Sequence, residues 1–209
     1  MNKITDMRFG KGRRKRVNVH LDGRFAFSLA AEVAVDERLR VGQELSADDV
    51  AALTGADRFQ CCLSNALRYL SYRPRSESEV RQRLGRHGFD GANVDGVIGR
   101  LKEQGLVDDA AFARFWKDNR ESFSPRSQRL TGLELKRKGV AGDIISQVAG
   151  EIDDGDSAYR AALGKARSLP QADYDSFRQR LAGYLKRRGF SYGVINRAVE
   201  QVWREQGVE

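Results

Sequence analysis

The chain has 209 residues, 40% of them apolar and 32% charged, which is enough for a core under a very polar surface. With 37 basic and 29 acidic side chains the formal charge is +8, a balance that favours an acidic partner. Only 3 prolines and 2 adjacent cysteines argue against a disordered chain and against a disulfide framework. There is no apolar run of membrane-spanning length and no signal-peptide core, so the expected compartment is the cytosol.

Residues 1–56 differ from the rest. Lys3 to Phe9 predicts a strand, and Gly10 to Arg16 a turn carrying Lys11, Arg13, Arg14, Lys15 and Arg16. Val17-Asn18-Val19-His20-Leu21 and Phe25-Ala26-Phe27-Ser28-Leu29 each alternate with period 2, and Asp22-Gly23 between them signals a hairpin. A two-residue loop would pair Val19 with Ala26 and split the apolar rows between faces. A three-residue loop would pair Val19 with Phe27 and unite them, and the longer loop is expected because a small sheet needs one apolar face. A three-stranded sheet followed by short helices is predicted. Ser46, with Asp49 three residues on, opens one of those helices.

From about Asp57 the periodicity turns helical. Phe59, Leu63, Ala66, Leu67 and Leu70 share a face, and the helix ends before Pro74. Ser76 and Glu79 form a capping box for a second helix with Val80 and Leu84, stopping at Gly88. A third helix carries Val94, Val97, Ile98 and Leu101 and stops at Gly105. The pattern then recurs. Leu84-Gly85-Arg86-His87-Gly88-Phe89 returns as Leu135-Lys136-Arg137-Lys138-Gly139-Val140 and as Leu185-Lys186-Arg187-Arg188-Gly189-Phe190. Each copy predicts a helix end with glycine in the left-handed conformation and the next apolar residue folded back onto the leucine, a Schellman motif. Pro74-Arg75-Ser76 recurs as Pro125-Arg126-Ser127. Val140, Ile144, Val148 and Ile152 are matched by Phe190, Val194, Ala198 and Val202; Gly207 and Val208 close the chain after Trp203, in the cap position of the last helix. The turn around Pro170 is longer than its equivalents.

A fixed period of this kind marks a repeat protein. The expected architecture is mainly α: tandem three-helix repeats at 57–107, 108–155 and 156–209 after a β-hairpin region at 1–56. Stacked repeats of this kind would make an elongated, curved solenoid.

The second helices hold the positive charge. Residues 75–88, 126–138 and 177–189 carry net charges of +2, +4 and +5. A cation in a last helical turn is explained by the helix dipole, but Arg126, Arg129, Arg178 and Arg180 near helix starts are not. The candidate partner-binding or DNA-binding stripe is therefore Arg75, Arg81, Arg126, Arg129, Lys136, Arg137, Arg180, Lys186, Arg187 and Arg188. Lys11, Arg13, Arg14, Lys15 and Arg16 form a second candidate basic site, or a solvated hairpin tip. No Walker sequence, dinucleotide turn or metal-ligand spacing occurs. His87 reads as a helix cap, and Asp108-Asp109 and Asp153-Asp154 fall at expected N-caps. No cofactor and no enzymatic activity are expected.

Tyr69-Leu70-Ser71-Tyr72-Arg73-Pro74-Arg75-Ser76, with Glu79-Val80-Arg81 and Leu84, resembles the first-repeat signature of the RecX regulatory proteins. Gly105-Leu106-Val107-Asp108-Asp109, with Phe112-Ala113 and Arg120, resembles their second signature, and the Val17 to Leu29 hairpin resembles an N-terminal extension of some members. The resemblance implies a non-enzymatic protein, expected as a monomer, that binds the RecA recombinase filament on single-stranded DNA in its helical groove. It would limit filament growth, ATP hydrolysis, strand exchange and assisted cleavage of the damage-response repressor. The alternative is an autonomous single-stranded nucleic-acid binder, which should stack bases on groove aromatics. Phe89, Phe112, Phe115, Trp116, Phe177 and Phe190 fall on apolar faces or caps and read as core, which counts against it.

Overall fold

Alternating apolar residues in a short N-terminal stretch build a sheet, and repeated apolar faces closed by glycines build the helices that follow. The structure is a computed structural model describing residues 1–10, 15–170 and 173–205. It divides into two compact units, Met1–Arg73 with Val80–Leu106, and Pro74–Glu79 with Val107–Glu209.

In the first unit, strands β1 (Asn2–Phe9), β2 (Arg16–Leu21) and β3 (Arg24–Ala30) are joined by a short β4 (Glu44–Leu45). The sheet has four strands in the order β3-β2-β1-β4, one more than expected, because Asn2 and Lys3 pair with Leu45 and Glu44. Two residues carry too little periodicity to announce a strand. The hairpin combines features of both predicted loops. Leu21 pairs with Arg24 across a two-residue turn, in which Asp22 and Gly23 both have positive φ, at 49° and 79°. This is the twist-matched turn that Asp-Gly favours. A bulge then shifts the register so that Val19 pairs with Phe27. The predicted pairing is present, but a bulge at Ala26, rather than a longer loop, produces it. Ile4, Val17, Val19, Leu21, Leu29, Leu45 and, from the following helices, Val33 and Leu53 make the core under this sheet.

Helix α1 (Ala31–Asp36) is short. Helix α2 (Ala47–Leu70) runs unbroken for 24 residues, so the helix opened by Ser46 and the first helix of repeat one are a single element. The 56/57 boundary lies inside it. No proline interrupts this stretch, and the single Gly55 costs only about 1 kcal/mol. Ser46 and Asp49 form the reciprocal capping box. The buried face of α2 is rotated from the predicted one: Cys62, Leu63 and Ala66 are buried, whereas Leu67 is 41% exposed. Burial pushes the Cys62 thiol up to about 11, with smaller contributions from Asp90 and Cys61. Helix α3 (Glu77–Arg86) contributes Val80 and Leu84, and α4 (Gly91–Glu103) Val94, Val97, Ile98 and Leu101.

The second unit holds α5 (Asp109–Phe123), α6 (Gln128–Arg137), α7 (Gly142–Gly150), α8 (Asp154–Ala166), α9 (Tyr174–Arg187) and α10 (Tyr192–Glu205). The predicted faces are buried around Phe112, Leu135, Val140 and Val148, and around Phe177, Leu181, Leu185, Phe190, Ala198 and Val202. Trp203 lies in the last turn of α10, against Phe177 and Tyr174; Gly207 and Val208 lie outside the described residues.

The glycine stops have the expected geometry. Gly88, Gly105, Gly139 and Gly189 all have positive φ, and the N–H groups of Phe89, Leu106, Val140 and Phe190 reach back to Leu84, Leu101, Leu135 and Leu185. At Gly105 the sealing residue is Val107, 3% exposed; Leu106 is 47% exposed.

Candidate functional site

The aspartate pairs show how repeats are joined. Asp108 and Asp153 cap their own helices, α5 and α8. The second member of each pair caps a neighbour instead: Asp109 accepts from the Glu77 N–H at 2.8 Å, and Asp154 from the Gln128 N–H at 2.7 Å. The same helix starts receive a glycine end. The Ser76 hydroxyl donates to the Lys138 carbonyl at 2.6 Å, and the Ser127 N–H donates to the Arg188 carbonyl at 3.0 Å. Thus the end of α6 seats on the start of α3, and the end of α9 on the start of α6.

These two junctions sort the cations. In Lys136-Arg137-Lys138 and Lys186-Arg187-Arg188 the third member is used within the fold. The Lys138 ammonium pairs with Glu79 at 2.8 Å and lies 4.2 Å from the Trp116 ring centre. The Arg188 guanidinium donates to Ser124 Oγ and to the Pro125 carbonyl, both at 2.9 Å, and stacks on Tyr184. The first two members, Lys136, Arg137, Lys186 and Arg187, are exposed, as are Arg129 and Arg180.

The other members of the predicted stripe are less available. Arg126 is ion-paired with Glu134, which also accepts from Trp116 Nε1 and Arg120 Nε, each at 2.8 Å. Burial lowers the Arg126 guanidinium pKa from its ordinary value, with Arg120 and Arg188 adding to the effect. Arg126, Arg187 and Arg188 meet with Tyr184 at a cleft of about 250 Å³, a concentration of positive charge answered at Arg126 by Glu134. Arg81 pairs with Asp95, and Arg75 is half-buried. On α9 the exposed cations occupy two sides: Arg180 and Arg187 are seven apart, whereas Arg178 and Lys186 share the row of Ala182. A single stripe is therefore too simple a description of this helix. Sequence reasoning missed Glu134 and Lys138. The signal at Glu134 was its being the single carboxylate in a +4 helix.

Of the second basic site, Lys11, Arg13 and Arg14 lie outside the described residues, and Lys15 is exposed. Arg16 is half-buried and structural. It pairs with Asp57 at 2.9 Å, bonds Ser28, and reaches Cys61 Sγ at 3.6 Å, tying β2 and β3 to α2. The net direction of its pKa is upward: desolvation opposes the charge, but Asp57 and Cys61 together favour it.

Comparison with known proteins places these elements. Models of the RecX N-terminal domain, first three-helix domain and third three-helix domain match residues 2–46, 62–101 and 153–199. The regulatory protein RecX of Amycolatopsis mediterranei is 33% identical over 162 residues, covering 76% of this chain and 93% of that protein. This chain belongs to the RecX family of regulatory proteins. The RecX of Bacillus velezensis is 30% identical over 209 residues, covering 99% of this chain and 80% of its own. A crystal structure of regulatory protein RecX matches with a TM-score of 0.69 at 25% identity, covering 98% of this chain and all of the other. The RecX three-helix domains and N-terminal strand region are thus present here. Among the described residues no helix is long and apolar enough to cross a membrane.

Proposed function

We propose that this RecX protein binds the RecA recombinase filament on single-stranded DNA and limits its growth, and thereby ATP hydrolysis, strand exchange and assisted repressor cleavage. Family membership supports the reading. The observation that carries it is the division of labour within the Lys-Arg-Lys and Lys-Arg-Arg runs. The third cation locks one repeat to the next, which leaves Lys136, Arg137, Lys186 and Arg187 exposed at a repeated position beside each junction. Repetition turns modest screened contacts into a multivalent attachment. An acidic, repeating partner is the natural complement, and a protein-coated DNA filament is one. The buried Phe112, Phe177 and Phe190 withhold the stacking platform that an autonomous single-strand binder would need at those positions.

The test is recombinase ATP hydrolysis on single-stranded DNA with this protein added. Inhibition at amounts too small to coat the DNA supports filament regulation; inhibition only on coating supports simple competition. The double variant Lys186→Glu/Arg187→Glu keeps Arg188 and hence the junction. It should raise the half-inhibitory concentration about tenfold or more, with helicity unchanged, since reversed charges both lose attraction and add repulsion. An unaltered half-inhibitory concentration in the folded variant would refute the role of these cations.

A further inference from the structure

The groove between α9 and α10 is lined by an aromatic side chain that the fold does not require. Tyr192, the first residue of α10, is 72% exposed. The equivalent positions in the other repeats, three residues beyond each glycine stop, are Gly91 and Gly142. Two repeats thus close normally without any side chain there, so packing does not explain a tyrosine in the third.

What surrounds Tyr192 has a definite chemistry. The groove encloses about 330 Å³, at the small end of ligand clefts, which run roughly 300–1,000 Å³. Ala182, Gly183 and Ile195 give it apolar lining, and Arg178 and Lys186 line it from one row of α9. Asp175 is the carboxylate at its edge, and Gln179 offers an amide. Asn196 and the Arg178 charge, both lining the same groove, hold the Tyr192 phenol below the usual tyrosine value. The ring lines the groove and stays largely exposed.

We propose that this groove takes one unstacked base of single-stranded DNA against Tyr192, with Arg178 and Lys186 on the adjoining phosphates. An exposed aromatic flanked by cations matches the stacking and phosphate contacts by which single strands are held. A duplex keeps its bases stacked inward and offers no free face. The inference concerns the DNA side of the proposed function, and its test needs no recombinase, so the two readings fail separately.

The free protein is titrated into fluorescently labelled oligothymidylate and followed by anisotropy. Tyr192→Ala should weaken binding about tenfold, as expected for the loss of one stacked base. Tyr192→Phe should stay within about twofold, because the ring rather than the hydroxyl carries the contact. An oligonucleotide with 5-iodouracil should photocrosslink to the peptide containing Tyr192, and duplex DNA should compete poorly. Circular dichroism verifies that the exposed substitution leaves the helices intact. Wild-type affinity in Tyr192→Ala, or crosslinks only elsewhere, would overturn the proposal. So would undiminished DNA binding combined with lost recombinase inhibition, which would make the groove a protein contact and leave the proposed function standing.

Discussion

The helix ends at Gly88 and at Gly189 have the same local structure and different surroundings. Both glycines have positive φ, at 79° and 90°, and both are followed by a phenylalanine whose N–H reaches back to a leucine. Around Gly88 an added Cβ would meet nothing within 4 Å. Around Gly189 it would lie 2.5 Å from Ser127 Oγ and 2.8 Å from Leu130 Cβ. The first glycine only turns the chain. The second also lets another helix start sit on it, and Gly139 does the same against Ser78. One sequence motif therefore serves as a terminator in repeat one and as a joint in repeats two and three.

The largest effect that could break this comparison is at the glycines. Gly189→Ala combines a left-handed backbone penalty with a steric clash and should cost about 3 kcal/mol or more, whereas Gly88→Ala should cost about 1 kcal/mol. Urea unfolding of the two variants measures the difference. Equal losses would mean that the close approach at Gly189 relaxes freely.

A smaller effect sharpens the comparison at the residue opposite the joint. The position of Glu134 is occupied by Arg83 in repeat one and Tyr184 in repeat three. Glu134→Gln leaves Arg126 and Arg120 without their shared carboxylate while keeping a hydrogen-bonding side chain for Trp116. These groups are only partly exposed, at 11% for Glu134 and 22% and 32% for the arginines. A loss of about 2 kcal/mol is expected, the scale of hydrogen bonds to charged groups. An unfolding midpoint equal to wild type would show that the network is solvated in practice.

The smallest effect concerns the helix that follows each stop. After Gly88, α4 is capped by Asp90, which accepts from the Asn93 N–H at 2.9 Å; after Gly139, the N-cap position of α7 is Ala141, which offers no side-chain cap. The Asn93 backbone and side chain, then Arg58, hold the Asp90 carboxyl below its usual value. A depressed folded value means the cap's contribution is complete above the unfolded aspartate range near pH ~4 and is lost as pH falls through the folded value. Acid titration of helicity should show a slightly weaker decline in Asp90→Asn than in wild type. An identical acid profile would remove the cap from the account.

Much of this was legible in residue order. Both Pro-Arg-Ser starts, the glycine stops and the apolar rows of four-residue spacing are local signals, decided by φ preference and by side-chain periodicity. They led correctly to three-helix repeats and to the RecX resemblance. Beyond the bulge the hairpin register was also anticipated, Val19 with Phe27 and Val17 with Leu29; at the turn it was not, since Leu21 pairs with Arg24 and Phe25 is left exposed. The bulge itself was not anticipated, since a bulge is chosen by the twist of neighbouring strands. The candidate site was less legible. Ten cations were grouped by charge and helix, yet Arg126 and Arg188 prove to be tied within the fold, as does Arg16 of the second basic site. Nothing local marks Tyr192: only its exposure and the cations that share its groove single it out.

By itself, then, the order of residues determined where helices begin and end and which unit recurs, because caps, glycines and periodicity act over a few neighbouring residues. Only the tertiary structure decided which arginines are structural and which face solvent. That depends on partners some 60 residues away, such as Glu79 for the Lys138 ammonium and Pro125 for the Arg188 guanidinium, where burial rather than sequence position sets what a charge can do.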